Sequence, residues 1–330
     1  MSERFQALRV FEEGGKSVAR VTELTLDDLA AGEVVIQTAY SSVNYKDALA
    51  ITGAGKVMRR FPCVAGIDSA GTVVSSSDAR FKAGDAVIAT SYDLGVAHDG
   101  GLAGYVRAKA DWVVPLPAGL TLFESMALGT AGFTAGLAIE LAEKNDLVPK
   151  SGKVLVNGAT GGVASLCIDM LSGLGYSVTA LTGKGTETEY LKGLGASEVI
   201  DRTAYEMGGR PLEKTLWAGA FDSVGGDQLG WLTRTMQQGG VIASFGNAGG
   251  IELKTNVLPF ILRGVRLLGV DTGYTPMPLR RKVWERLATD LKPRHLDTIA
   301  HALKLADVPE YCARMLKGQI RGRAIVALSD

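Results

Sequence analysis

The chain has 330 residues, beyond the roughly 250 at which single cores stop growing, so two domains are expected. Hydrophobic residues at 46% and charged residues at 21% exclude wholesale disorder. A balance of 35 basic against 35 acidic residues excludes global steering toward nucleic acid or an anionic membrane.

No apolar run is read as approaching the roughly 18 residues of a membrane span, and Met1 to Val10 lacks the sections of a signal peptide, so a cytoplasmic chain without membrane or nucleic-acid partners is expected. Cys63, Cys167 and Cys312 are few, odd in number and scattered, which fits a reducing compartment and offers no CxxC metal pattern. Glycine stands out: 42 residues, about 13% against a usual 7% or so, imply many tight turns or close backbone approaches.

In chain order, the first part reads as short strands between turn signals, at Glu33 to Thr38, Gly71 to Val74, Ala86 to Ala89 and Trp112 to Val114. A helical stretch runs from Ser125 to Glu143, and Pro149 to Gly152 connects it to an apolar strand, Val154 to Val156. Helices and strands then alternate: helix Val163 to Leu174, strand Val178 to Leu181, helix Thr188 to Leu194, strand Val199 to Ile200. Further strands are expected at Ala220 to Ser223, Val241 to Phe245 and Leu267 to Val270, with helices around Leu229 to Met236 and Arg280 to Leu291. This alternation predicts an α/β, doubly wound parallel sheet, and six strands complete two mononucleotide-binding halves. The terminal run Arg323 to Leu328 is strand-like and is expected to pair back onto the first module.

The strongest local signal is Lys153 to Ala164, an apolar strand entering a glycine-rich turn that opens a helix. Apolar residues at Val163, Leu166, Cys167, Met170, Leu171 and Leu174 form one buried stripe of that helix. Thr160, Gly161, Gly162 and Val163 are therefore expected at its N-terminus, where unpaired N–H groups and the helix dipole favour a pyrophosphate. The usual dinucleotide fingerprint is altered, because Ala159 and Ala164 occupy its first and third glycine positions and Gly158 precedes them. About 20 residues on, where a chain preferring NAD presents an acidic group, this one presents Thr182, Gly183 and Lys184. NADPH is the expected cofactor. Gly246 and Asn247, after the strand Val241 to Phe245, are expected to join the cofactor set.

Segments spread along the chain carry a resemblance: Ser42 to Gly53, Gly66 to Val73, Gly129 to Ala135, Asn157 to Ala164, Leu194 to Ile200, Trp217 to Asp222 and Leu258 to Asp271. In these the sequence resembles the zinc-independent quinone oxidoreductase branch of the medium-chain dehydrogenase/reductase superfamily, and within it the acrylyl-CoA reductase group. The resemblance implies a GroES-like β-rich domain, 1–122 completed by 298–330, and a Rossmann NADP-binding domain, 123–297, with a nicotinamide in the cleft and a homodimer joined through the cofactor domain. Zinc-dependent relatives carry a His-Glu pair where this chain has Gly66, Ile67 and Asp68, and isoleucine cannot ligate a metal. His98, His295 and His301 are too scattered to substitute. No metal is therefore expected.

The resemblance also points to Asn44, Tyr45, Lys46 and Asp47 as the segment facing the nicotinamide. Asn44 is expected to bind the substrate carbonyl, Tyr45 to orient substrate or nicotinamide or to donate a proton and also to touch the cofactor, and Asp47 to complete the catalytic set. A helix-start ion pair of Lys46 with Asp47 is the structural alternative. Lys56, Arg59 and Arg60 form a basic cluster suited to the phosphates of coenzyme A, or else a solvated loop. Arg323 could contact a cofactor phosphate, or else sit as a surface charge. The implied activity is NADPH-dependent reduction of the double bond of acryloyl-CoA, a small-molecule acyl-CoA substrate. Quinone reduction is the alternative enzyme reading, and a nucleotide-binding sensor without turnover is the reading from another class.

Overall fold

The computed structural model describes residues 4–329. The signal-peptide reading of Met1 to Val10 and the domain limits at 1 and 330 thus begin or end outside the described residues. The chain divides into two compact units. One comprises residues up to Ala131, Gly273–Arg281 and the chain from Leu296 on, and the other comprises Gly132–Thr272 and Lys282–His295.

The first unit opens with a hairpin of β1 (Phe5–Glu13) and β2 (Lys16–Leu24). Gly14 and Gly15, both at positive φ (58° and 75°), make the two-residue turn whose twist matches that of the flanking strands. Then come β3 (Val34–Val43), α1 (Tyr45–Thr52), β4 (Cys63–Val64), β5 (Asp68–Ser76), β6 (Ala86–Thr90), β7 (Tyr105–Ala108) and β8 (Val113–Pro115). These contain the strands read from the sequence, except that Glu33 precedes β3 and Trp112 lies in a short 3₁₀ turn before β8. The hairpin was not anticipated.

Helix α2 (Leu122–Glu143) begins three residues before its expected start and is broken by a non-helical Gly129. Its length and composition would suffice to cross a membrane, with a mean hydropathy of 1.3, although 83% of its most apolar stretch is buried inside the protein. That corrects the sequence reading of no such run: residues of the Ala, Leu and Gly type fill a core helix as readily as a span.

The second unit carries β9 (Lys153–Asn157), α3 (Gly162–Gly173), β10 (Ser177–Thr182), α4 (Thr188–Gly193), β11 (Glu198–Asp201), β12 (Trp217–Asp222), α5 (Gly226–Thr235), β13 (Met236–Ser244), α6 (Leu258–Arg263) and β14 (Arg266–Gly269). Its six strands are all parallel, in the order β11-β10-β9-β12-β13-β14. This is the doubly wound arrangement the alternating pattern predicts, and the order reverses between β9 and β12, the switch point at which such sheets bind ligands. Val154, Leu155 and Val156 are fully buried, as expected for a central strand covered on both faces.

After α7 (Met277–Leu287) and α8 (Leu296–Ile299), the chain returns to the first unit through β15 (Ala300–Leu303), α9 (Val308–Leu316) and β16 (Arg323–Ala327). β16 pairs antiparallel with β3, Ala324 opposite Val43, so the C-terminal run does rejoin the first module. Its sheet runs β15-β16-β3-β5-β6-β8, with β7 also on β3.

Candidate active site

In the first unit, α1 starts at Tyr45 directly beyond the end of β3, so Asn44 and Asp47 face inward while the Tyr45 ring is 40% exposed. Asp47 does not pair with Lys46. Its carboxylate is buried and accepts hydrogen bonds from the backbone N–H groups of Asn44 (2.8 Å) and Ile67 (3.0 Å). Burial, and then the nearby charge of Asp68, push its pKa up to about 7 against the pull of those hydrogen bonds.

Asn44 Nδ2 donates to Asp68 Oδ2 (2.8 Å) and more weakly to Asp47 Oδ2 (3.3 Å), while its Oδ1 accepts from Arg323 Nη1 (3.1 Å). The Asn44 amide, expected to bind a substrate carbonyl, is thus engaged by protein groups on both sides.

Arg323 corrects a second expectation. It is 3% exposed, neither a surface charge nor available to a phosphate. Its N–H groups donate to the carbonyls of Val43 and Ala127, to Asn44 Oδ1 and to Ser42 Oγ (2.7 Å). Burial lowers its pKa, opposed chiefly by Asp68. Because β16 lies beside β3, a residue close to the C-terminus supplies the counter-charge of a cluster built near the N-terminus.

Asp68, at the start of β5, is the centre of this cluster. Its Oδ2 accepts from Ser42 Oγ (2.6 Å) and from the backbone N–H of Thr130 (2.9 Å), and its Oδ1 from Thr130 Oγ1. The break in α2 makes this possible. At Gly129 (φ 52°) a Cβ would stand 2.5 Å from both Asp68 Oδ2 and Ser42 Oγ and 2.6 Å from Arg323 Nη2. Only glycine allows the backbone so close and so turned.

The basic residues of the same unit divide. Arg59 pairs with Asp93, and Arg60 pairs at 3.2 Å with Asp99, a buried carboxylate that also accepts from the N–H groups of Ala30 and Val64. Lys56 is exposed, with no ion pair found for it among the described residues. The expected cluster is thus one solvated lysine and two ion-paired arginines.

In the second unit, Gly161 caps α3 and, lacking a side chain, leaves the first-turn N–H groups of Gly162 and Val163 without a side-chain acceptor. Gly158 (φ 57°) turns the chain ahead of Thr160, and a Cβ there would stand 2.3 Å from Ser223 Oγ. The cradle fits a pyrophosphate. Across the switch point, Asn157 Nδ2 donates to Asp222 Oδ1 (2.6 Å), and Asn157 Oδ1 accepts from Ser223 N–H (2.7 Å). This buried pair, absent from the sequence reading, ties together the ends of β9 and β12.

Thr182 is buried, and its Oγ1 accepts from the N–H of Lys184 (3.0 Å), which shapes the turn Thr182, Gly183, Lys184 at the end of β10. Gly246 packs against backbone, since a Cβ would meet the Ser223 carbonyl oxygen at 2.2 Å, and Asn247 beside it is exposed. Residues distant in sequence had no local signal: Asp68, Thr130 and Arg323 meet only through strand pairing and the helix break.

Comparison with known proteins bears on both units. A model of alcohol dehydrogenase GroES-like domains matches residues 30–118, and one of zinc-binding dehydrogenases matches residues 162–290. The chain is 48% identical to the putative quinone oxidoreductase YhfP of Bacillus subtilis, covering 99% of this chain and all of that one. It is 46% identical to the acrylyl-CoA reductase AcuI of Ruegeria pomeroyi over 96% of each. A crystal structure of the yhdH oxidoreductase of Salmonella enterica in complex with NADP superposes with a TM-score of 0.96 at 46% identity, over 98% of this chain and 100% of that one. The YhfP crystal structure, also at TM-score 0.96 and covering 99% of this chain and 100% of that one, has NAD bound.

The residues present do not suit the zinc that the second family description names. Among the described residues no group of three or more His, Cys, Asp or Glu side chains converges. The Cys63 thiol, pushed up to about 12 by burial and then by Asp99, is directed at the carbonyl of His98, and Asp68 is committed to the cluster above. On sequence and fold, the chain belongs to the alcohol dehydrogenase-like medium-chain dehydrogenase/reductase superfamily and is an oxidoreductase of the group that contains the acrylyl-CoA reductases.

Proposed function

We propose that this enzyme reduces the 2,3 double bond of acryloyl-CoA to propanoyl-CoA with NADPH and without zinc. The observation that carries the reading is near full-length identity of 46% and 44% to two proteins named acrylyl-CoA reductase or probable acrylyl-CoA reductase. When bound, NADPH supplies a hydride for the β-carbon of the acyl group. Thr160, Gly161, Gly162 and Val163 hold its pyrophosphate; Thr182, Gly183 and Lys184 hold the 2′-phosphate end; Gly246 and Asn247 complete the cofactor side. The module bounded in the sequence at 1–122 and 298–330 receives the thioester.

An enoyl thioester suits a site without a Lewis acid, because conjugation carries the arriving charge to the thioester oxygen, where hydrogen-bond donors stabilise it. The α-carbon then needs one proton. Tyr45, exposed at the start of α1, donates it. Asn44, Asp47, Asp68 and Arg323 fix the backbone from which Tyr45 projects. Lys56, with Arg59 and Arg60 close to it in sequence, meets the coenzyme A phosphates, and the protein works as a homodimer. A second reading, quinone reduction, is favoured by the 48% identity to a protein named as a putative quinone oxidoreductase. NADPH oxidation with acryloyl-CoA, with a quinone, or with neither separates the readings.

A further inference from the structure

Positive charge also gathers in the second unit at the end of its sheet away from the glycine-rich turn. β12 begins at Trp217 and β13 at Met236, these two residues pair, and α5 stops at Thr235 directly ahead of β13. The loop from β11 to β12, the last turn of α5 and the stretch before α6 therefore meet near the amino ends of the strands. Arg210, Arg234, Lys254, Thr255 and Asn256, drawn from those three segments, line an open cleft of about 380 Å³. No carboxylate lines it among the described residues.

Hydrogen bonds fix these walls to one another. The Glu213 N–H donates to the Arg234 carbonyl (3.0 Å), Asn256 Nδ2 donates to the Pro211 carbonyl (3.2 Å), and the hydroxyls of Thr233 and Thr255 lie 2.6 Å apart. From α6, Arg263 donates to the carbonyls of Glu213, Arg234 and Met236, which answers the partial negative charge at the C-terminal end of α5. The lining cations keep donors to spare. Arg234 donates to the Gly208 carbonyl at 3.3 Å and makes no ion pair among the described residues, and its Nε is buried without an acceptor. Arg210 holds Glu213 through Nε and Nη2, at 3.1 and 2.9 Å, and its Nη1 has no acceptor among the described residues. Lys254 comes no nearer than 3.9 Å to Glu252, and both side chains are exposed, so that contact neutralises little.

We propose that this cleft binds a small anion carrying at least two negative charges on phosphoryl or carboxylate oxygens, at a site separate from the glycine-rich cradle. Guanidinium groups offer such oxygens parallel N–H donors, and the ammonium adds a point charge. The cleft falls in the range of small-molecule sites, roughly 300 to 1,000 Å³, but its polar, cationic lining selects a charged occupant over an apolar one. A bound anion joins the β11–β12 loop to the stretch before α6 and stabilises the fold by mass action.

The test titrates the full chain calorimetrically at about 150 mM salt, with NADPH saturating so that the cradle is filled, using pyrophosphate in one arm and citrate in the other. At least one probe is expected to bind with Kd below about 1 mM and to raise the melting temperature. Binding of pyrophosphate alone identifies a phosphate ester as the occupant, citrate alone a polycarboxylate, and both a site that reads charge and oxygen geometry. Arg210→Gln and Lys254→Gln should each weaken binding about tenfold, and Lys254→Glu should weaken it further, with kcat/KM for NADPH unchanged. Arg210 and Lys254 are exposed, so without the probe their variants should melt as the parent does. Lys16→Gln, at an exposed lysine of the other unit, should bind as the parent does. No heat and no thermal shift in either arm would overturn the proposal, as would binding that survives both glutamine substitutions or that falls equally in Lys16→Gln.

Discussion

Two buried carboxylates share one asparagine, and their chemistry differs because their partners differ. Asp68 is met by two hydroxyls, an amide and a backbone N–H, and an arginine lies 3.8 Å away. Asp47 receives only amide donors and faces Asp68 as a like charge, and its pKa rises to about 7. The unfolded chain releases that proton near pH 4, so between about 4 and 7 the folded state binds more protons and stability falls as pH rises through this window. Thermal melts of the wild type against Asp47→Asn across pH 4.5 to 8 should show a steeper decline in the wild type; parallel curves would refute the titration. Tyr45 carries the other residue-level expectation. Tyr45→Phe should lower kcat about a hundredfold with little change in KM, as loss of a general acid does, and an unaltered kcat would remove its hydroxyl from the chemistry.

Among elements, those that repeat a local pattern were legible and those that depend on long-range pairing were not. The stripe from Val163 to Leu174 named α3, and six apolar runs named the parallel sheet. The first hairpin escaped, although Gly14 and Gly15 between two β-rich runs are the signal for it. Nothing local distinguishes Asp68 from any strand carboxylate or Arg323 from any strand arginine; each acquires its partners from the neighbours that pairing supplies. The edge strand β14 has no partner on its outer side among the described residues. Beside it in sequence, α6 and the residue preceding it expose Val257, Ile261 and Leu262 at 64%, 69% and 57%. An unpaired edge with exposed apolar neighbours invites a second copy. Light scattering at micromolar concentration should accordingly give the mass of a dimer, and the mass of one chain would count against this assembly.

At the scale of the whole molecule, the first unit carries a buried polar cluster beside one exposed tyrosine, and the second carries a glycine-rich turn that opens α3 at the switch point of the parallel sheet. Neither contains a set of zinc ligands among the described residues. These features suit hydride addition to a substrate that is already electron-poor, with coenzyme A binding energy remote from the reacting carbons used to stabilise the transition state. The most direct test is to treat the protein exhaustively with a chelator and measure kcat/KM with NADPH for acryloyl-CoA and for a simple quinone side by side. The account predicts undiminished activity, a clear preference for acryloyl-CoA, and deuterium from 4-deuterated NADPH at the β-carbon of propanoyl-CoA. Turnover of the quinone alone, or activity lost with stoichiometric zinc, would contradict it.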